Sequence, residues 1–213
     1  MKRILAALTT IFIATSSLWN FVYAKEDMVV KGEVIEGFKV TDIRVIELDG
    51  SKLITFEHEK TGAKVMYYKN DDTNVAFDVT FKTPPLDSGG TSHFLEHAIL
   101  SGSQKYPSST VGAKIPRQTY ITDFHANTSM CNTNYIVSSL SEEQLYMLAD
   151  YVLAGAFQPL FYTDSSIFDR EAWHYELETE DSDLKIGGAV YSEMHSPQTT
   201  SLQSVFNTVK TLF

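Results

Sequence analysis

The segment with the clearest chemical potential is a run of five residues, His93-Phe94-Leu95-Glu96-His97. If this run is helical, the two histidines lie on one face and one turn apart, because residues four apart differ by ~400° of rotation. Their imidazole nitrogens can then bind one metal ion, and Glu96 points to the same side. A metal lowers the pKa of a bound water towards ~7, and a nearby carboxylate can take its proton and return it to a leaving amine. The H-x-x-E-H order therefore indicates metal-assisted amide hydrolysis.

A catalytic zinc ion of this kind needs a third protein ligand, so that the fourth position stays open for water. The best candidate is Glu193, which lies 96 residues after His97 and near the start of a predicted helix. The five-residue pattern also fits a helix whose histidines are ordinary surface or core residues. The pattern alone therefore leaves metal binding open.

The elements before the histidines are strand-like. Four apolar runs separated by turn signals lie between positions 38 and 81, and 75–81 alternates apolar and polar residues as a half-buried strand does. Proline and glycine pairs then interrupt the chain, and we predict a helix over 92–100 that carries the histidines. A loop is expected over 101–117.

The later elements are mostly helical. We predict strands over 119–126 and 133–139, followed by a helix over 141–157 with Ser141 at its cap, a helix over 164–177 and a third helix from Gly188. Because strands precede helices without β-α-β alternation, the sequence predicts an α+β fold. Its sheet is expected to be largely antiparallel, with the helices packed on one side.

Composition narrows the class of protein. The chain has 213 residues, 43% of them hydrophobic, and a formal net charge of −10. This acidity argues against binding to nucleic acid, whose phosphates need clustered Lys and Arg. A single cysteine, Cys131, allows no intramolecular disulfide.

The beginning of the chain has the pattern of a signal peptide. Lys2 and Arg3 precede an apolar run over 4–14, and small residues lie before a cleavage point after Ala24. We expect residues 1–24 to be removed and no stable membrane span to form, since a span needs ~20 apolar residues. An uncleaved amino-terminal anchor is the alternative. Export without disulfides predicts the bacterial periplasm, cell envelope or extracellular space.

The remaining chain divides into two predicted segments. Residues 25–36 are charged and lack a clear period, so we interpret them as a loose lead-in. Residues 37–213 form the predicted domain. The apolar-rich pattern over 205–213 contains no stop signal, and we expect the domain to be incomplete at this end.

Longer stretches of sequence resemble the pitrilysin–insulinase family of zinc peptidases, specifically its presequence-protease branch. The resemblance covers most of 37–196. The matching stretches are Gly37-Phe38, His58-Glu59-Lys60-Thr61-Gly62-Ala63, Asn70-Asp71-Asp72, Phe81-Lys82-Thr83-Pro84-Pro85, the segment over 89–107 that contains the histidines, and Glu171-Ala172-Trp173-His174-Tyr175-Glu176-Leu177.

This resemblance implies a fold and a metal site. The fold is that of the first domain of the pitrilysin-like metallopeptidases. His93, His97 and Glu193 are implied as ligands of one zinc ion, and Glu96 as the general base. Glu171 matches an acidic position that supports the metal shell.

The resemblance also implies how peptides bind. Family members add an extended peptide as a strand to a sheet edge beside the zinc. The matching positions are His125, Ala126, Asn127 and Thr128. This chain departs from the family at His125, where asparagine is usual, and after Glu193, where Met194-His195-Ser196-Pro197 replaces Met-Lys-Gly.

Three hypotheses follow for function. The first is a zinc metalloendopeptidase domain that hydrolyses short or unfolded peptides. The second is an inactive or partner-dependent fragment, which binds zinc or peptide and lacks the Arg and Tyr groups that a C-terminal half supplies in the family. The third is a structural zinc domain, which an open coordination position disfavours.

Overall fold

The computed structural model describes residues 29–115 and 120–198. The chain divides into two compact units, one up to Thr73 and the other from Asn74. The predicted signal peptide over 1–24 and the end of the predicted domain after 198 lie outside the described residues. Within the described residues, no helix combines the length and the hydropathy needed to cross a bilayer.

The first unit is built on a four-stranded antiparallel sheet in the order β1-β2-β3-β4. Its strands are β1 Val34–Ile35, β2 Phe38–Val45, β3 Lys52–His58 and β4 Lys64–Lys69. One face of β2 and β3 carries the core, where Phe38, Val40, Ile54 and Phe56 are at most 1% exposed. Alternating burial along β3 is the period-two pattern of a strand with one covered face.

The segment predicted as a loose lead-in contributes to this unit. Val29 and Ile35 belong to the apolar core, and β1 pairs with β2 through a tight turn at Glu36 and Gly37. Both turn residues have positive φ, 51° and 83°. A two-residue strand is too short to give a periodic signal in the sequence, which is why the segment reads as irregular.

The second unit contains a three-stranded antiparallel sheet in the order β5-β7-β6. Its strands are β5 Val75–Lys82, β6 Ile121–Thr128 and β7 Asn132–Ser139. The covered face includes Tyr135 and Val137 of the central strand, each 1% exposed. Helix α3, Glu142–Phe157, contacts this sheet and buries Leu148 and Val152.

Helix α1, Thr91–Leu100, begins after Gly90 and contacts β6 and β7. The Tyr151 hydroxyl on α3 donates a 2.6 Å hydrogen bond to the Leu100 carbonyl, which satisfies one of the free acceptors at the end of α1. The part of the predicted loop that the structure describes, up to residue 115, contains one short helix, α2, Val111–Lys114.

The remaining elements differ from the prediction in one place. The predicted helix over 164–177 is wrong beyond Glu171: α4 spans Ser166–Glu171, and His174–Glu176 forms strand β8. Strand β8 pairs with β9, Lys185–Gly187, because the partner strand offers backbone hydrogen bonds that a local helical pattern cannot reveal. A 3-10 turn, Leu160–Tyr162, precedes α4, and α5 spans Ala189–Gln198.

The predicted helices over 92–100 and 141–157 and from Gly188 are confirmed within a residue or two. The fold is α+β with antiparallel sheets, as predicted. The single predicted sheet is replaced, in the part of the chain that the structure describes, by separate sheets in the two units and the β8-β9 hairpin.

Candidate metal centre

Helix α1 places the two histidines of the H-x-x-E-H run side by side. The ring centroids of His93 and His97 lie 5.0 Å apart with an interplanar angle of 76°. This is the one-turn spacing that the sequence predicts for a helix. Both side chains are about a quarter exposed or less, so they remain reachable from one side.

Helix α5 brings a carboxylate to both rings. Glu193 Oε2 lies 3.1 Å from His93 Nε2 and 3.3 Å from His97 Nε2. Ligand atoms about 2.0–2.1 Å from a tetrahedral zinc ion are themselves roughly 3.3 Å apart. The three ligand atoms all lie within 4.8 Å of one another. The donor set of two imidazoles and one carboxylate therefore fits zinc, and it is the one such group found among the described residues.

Glu96 occupies the inner side of α1. The residue is 8% exposed, and its Oε2 has no hydrogen-bond partner among the described residues. A buried carboxylate oxygen without a partner is costly, so such an atom is expected to meet water or substrate. Burial and, to a lesser degree, the charge of Glu96 raise the pKa of Tyr135 on the central strand of the sheet.

His97 is held on its other side by Glu171. Its Nδ1 lies 3.1 Å from Glu171 Oε2, which makes Nδ1 the donor and leaves Nε2 free to accept or to bind a metal. This hydrogen bond raises the pKa of His97 and holds that of Glu171 at about 2. The pair therefore keeps the carboxylate ionised at neutral pH.

The second oxygen of Glu171 is held by two further groups. Arg170 Nε donates to Glu171 Oε1 at 2.9 Å, and Ser101 Oγ lies 3.1 Å from the same atom. Ser101 follows His97 by one helical turn, a spacing that sequence analysis could have used. No sequence signal indicated Arg170.

A cavity of about 340 Å³ opens beside Glu96 and His97. It is lined by apolar residues of α1 and β6 and by polar residues of α1, of α4 and of the loop after α1, together with one glycine of α2, namely Glu96, His97, Leu100, Ser101, Ser109, Gly112, Phe124, Ala126 and Glu171. Glu96 and two residues of β6, Phe124 and Ala126, therefore line the same cavity.

The four residues predicted to bind substrate divide between the two faces of β6. Ala126 lines the cavity, and Thr128 shares the less exposed face with it. His125 and Asn127 are exposed on the opposite face. His125 Nδ1 lies 2.8 Å from Asp123 Oδ1 and belongs to no metal-binding group in the described residues. Phe124, which the sequence analysis placed on this strand, also lines the cavity.

Comparisons with known proteins identify the family. The family model described as "Insulinase (Peptidase family M16)" matches residues 84–208. The chain belongs to this family of zinc metallopeptidases and contains a peptidase-type domain.

Two relatives show where the similarity lies. Presequence protease 1, chloroplastic/mitochondrial, of Arabidopsis thaliana is 39% identical over 158 residues, and Protein HypA of Clostridium perfringens is 35% identical over 164 residues. These matches cover 74% and 77% of this chain but 15% and 17% of the relatives. The chain thus spans about one sixth of the length of these curated relatives.

A solved structure supports the fold. The crystal structure of pitrilysin superposes with a TM-score of 0.53 and 20% sequence identity, over 63% of this chain and 14% of that one. This likeness is consistent with the fold of a first pitrilysin-like domain, as predicted.

The predicted location is wrong. The sequence analysis places the protein in the bacterial periplasm, envelope or extracellular space, whereas the Arabidopsis relative and the Eremothecium gossypii presequence protease are named for chloroplasts and mitochondria. The apolar stretch after Lys2 and Arg3 led to the prediction of export, and the relatives give no support for a secreted protein.

Proposed function

We propose that this chain is a zinc metalloendopeptidase domain that hydrolyses short or unfolded peptides. His93, His97 and Glu193 hold the metal, and Glu96 is the general base. The observation that carries the proposal is the approach of one Glu193 oxygen to the Nε2 atoms of both histidines, at 3.1 and 3.3 Å. No other element of the described chain assembles such a donor set.

Zinc, when bound, would polarise the scissile carbonyl and acidify the attacking water. Glu96 accepts the proton of that water and delivers it to the leaving amine, and its buried, unpartnered Oε2 is the atom suited to this task. Glu171 keeps His97 oriented by accepting from Nδ1. Ser101 and Arg170 in turn keep Glu171 in place.

Strand β6 is the element on which we expect the peptide to bind. It pairs only with β7 within the described part of the second unit, so its other edge offers free backbone donors and acceptors. An extended peptide added along this edge would lie beside the cavity that Phe124 and Ala126 line. His125 and Asn127 face the other side, and their backbone groups rather than their side chains would contact such a peptide.

The test compares Glu96→Gln with a matched variant, Glu143→Gln, in the first turn of α3. Purified chain is assayed for zinc content and for cleavage of an unfolded peptide. We expect Glu96→Gln to retain zinc and to lose roughly 10²–10⁴-fold in turnover, while Glu143→Gln behaves as the parent chain. Parent protein that takes up no zinc, or unchanged turnover in Glu96→Gln, would contradict the proposal.

A second candidate function is a domain that binds zinc and peptide but turns over only with a partner. The observation that favours it is the share of the relatives covered, about one sixth of their length. Under this hypothesis the chain binds zinc but cleaves nothing alone, and activity returns when the remaining part of the Clostridium relative is added. Robust cleavage by the chain alone would exclude it.

A further inference from the structure

We propose that Met194 is a positioning residue for the metal centre. Its thioether packs on Gly90 at the start of α1, and this contact sets the position of α5 so that Glu193 reaches both histidines. The inference rests on the proposed function, because it concerns how the third ligand of that site is delivered.

The first observation concerns Gly90. This residue caps α1 with a φ of 69°, and its carbonyl accepts the first helical hydrogen bond, from Phe94 N at 2.9 Å. A Cβ atom on Gly90 would lie 2.5 Å from Met194 Sδ and 3.1 Å from its methyl carbon. The sulfur therefore occupies the space that any other residue would fill with its side chain.

The second observation concerns the face of α5. Val190 and Met194 lie one turn apart, and both reach the position that a Gly90 side chain would take. Val190 is 5% exposed, so this face of α5 is packed. Glu193 lies next to this face and points at His93, one turn into α1. The packing of Val190 and Met194 thus aligns Glu193 with the histidines.

The third observation concerns the other end of α5. Gly188 has a φ of 129°, and a Cβ there would lie 2.4 Å from the Ala172 carbonyl oxygen. The same carbonyl accepts a hydrogen bond from Tyr191 N at 3.2 Å. This contact fixes where α5 begins. The Met194–Gly90 contact lies further along the helix and supplies another fixed point for its axis.

The Glu193 side chain alone cannot hold its carboxylate at the position that a metal ion requires. It is 54% exposed, so few neighbours restrict its rotamers. Metal sites require ligand distances within ±0.2 Å of their usual values. The position of the carboxylate must therefore come from the α5 backbone, and so from the contacts that hold it.

The experiment measures metal binding by four variants of the whole chain: Met194→Ala, Met194→Leu, Gly90→Ala and the double variant Gly90→Ala/Met194→Ala. Zinc affinity is obtained by competition titration, and Co²⁺ absorption reports the coordination geometry. Thermal unfolding of the metal-free chain reports stability. Leu148→Ala, which truncates a fully buried residue of α3, is the matched control for lost stability.

We expect Met194→Ala to weaken zinc binding about 10-fold, as loss of outer-shell support does, and to change the Co²⁺ spectrum. Met194→Leu should restore most of the affinity, because leucine has a similar volume. Gly90→Ala should weaken binding further, and the double variant should bind better than Gly90→Ala alone, since the added methyl group then enters the vacated space. Leu148→Ala should lower stability and leave affinity and spectrum unchanged.

Two results would overturn the inference while the proposed function stands. The first is parent-like affinity and Co²⁺ spectrum in folded Met194→Ala. The second is a double variant whose loss equals the combined losses of the single variants, because independent sites are additive. Failure of the parent chain to bind zinc would instead remove the proposed function itself, and the inference with it.

Discussion

The two units of the chain place a histidine in different surroundings. In the first unit the interior is apolar: Phe38, Val40, Ile54 and Phe56 are almost fully buried. The buried imidazole of this unit, His58, lies 4.8 Å from the Phe38 ring, and its Nδ1 lies 2.8 Å from the Thr61 hydroxyl oxygen. The partner of Nδ1 is a hydroxyl and not a carboxylate, and the ring packs on Phe38, so we assign His58 to the core.

Around α1, in contrast, charged and polar groups are buried alongside the apolar Ala98. Glu96 and Ser101 are 8% and 5% exposed, and His97 lies between Glu171 and Glu193. Burying charged groups is costly unless each is paired. His97 is paired with Glu171, whereas Glu96 Oε2 has no hydrogen-bond partner among the described residues. Burial of a histidine therefore says little about its role. The carboxylates that face it are what distinguish a candidate ligand from a core residue.

The two regions should differ most in zinc affinity when their histidines, His97 and His58, are replaced by alanine. We expect His97→Ala to lower zinc affinity by more than the ~10–100-fold that outer-shell changes cost, because a ligand is lost. His58→Ala should leave zinc affinity unchanged within error and lower only the stability of the fold. Competition titration with a zinc chelator measures both. Equal losses of zinc affinity in the two variants would contradict the distinction between His97 as a ligand and His58 as a core residue.

A smaller effect is expected when the support of His97 is weakened. In Glu171→Gln the amide can still accept from Nδ1 but no longer carries charge, so we expect a roughly 10–100-fold loss of zinc affinity. Glu176→Gln, on the exposed strand β8, is the matched control and should bind zinc as the parent chain does. Unchanged zinc affinity in Glu171→Gln would indicate that Glu171 contributes only to packing.

A substitution in the apolar core of the first unit is expected to have the smallest effect on the metal centre. Ile54→Ala should destabilise the fold by about 2–5 kcal/mol, since it leaves a cavity at a fully buried site. Its zinc affinity should match that of the parent chain at temperatures where the protein is folded. Denaturant unfolding and zinc titration of the same sample measure the two quantities. A large loss of zinc affinity in folded Ile54→Ala would contradict the separation of the apolar core from the metal centre.

The sequence predicted the parts of this site that depend on local spacing. His93, Glu96 and His97 share one helix, so their relation follows from helical geometry alone. Glu193 could be proposed because zinc needs a third ligand, although its distance in space from His97 could not be derived. Helix α3 was also predictable, because Ser141 and the acidic residues after it are local start signals, although the Ser141 side chain makes no capping hydrogen bond.

The rest depends on contacts between elements that are distant in sequence. A register shift between Ile121 and Asp123 sets which face of β6 each later residue occupies, so the outward position of His125 could not be known from alternation alone. Strand β8 exists because β9 pairs with it, although Trp173–Leu177 continued the apparent helical pattern. The contact of Met194 with Gly90 likewise depends on where α5 packs.

X-ray absorption at the zinc K-edge, on chain loaded with one equivalent of zinc, tests the central claim most directly. We expect two imidazole nitrogens at about 2.0–2.1 Å together with carboxylate or water oxygens, and loss of the imidazole signal in a His93→Ala/His97→Ala variant. Zinc bound without imidazole, or the same spectrum in that variant, would show that these histidines are not the ligands.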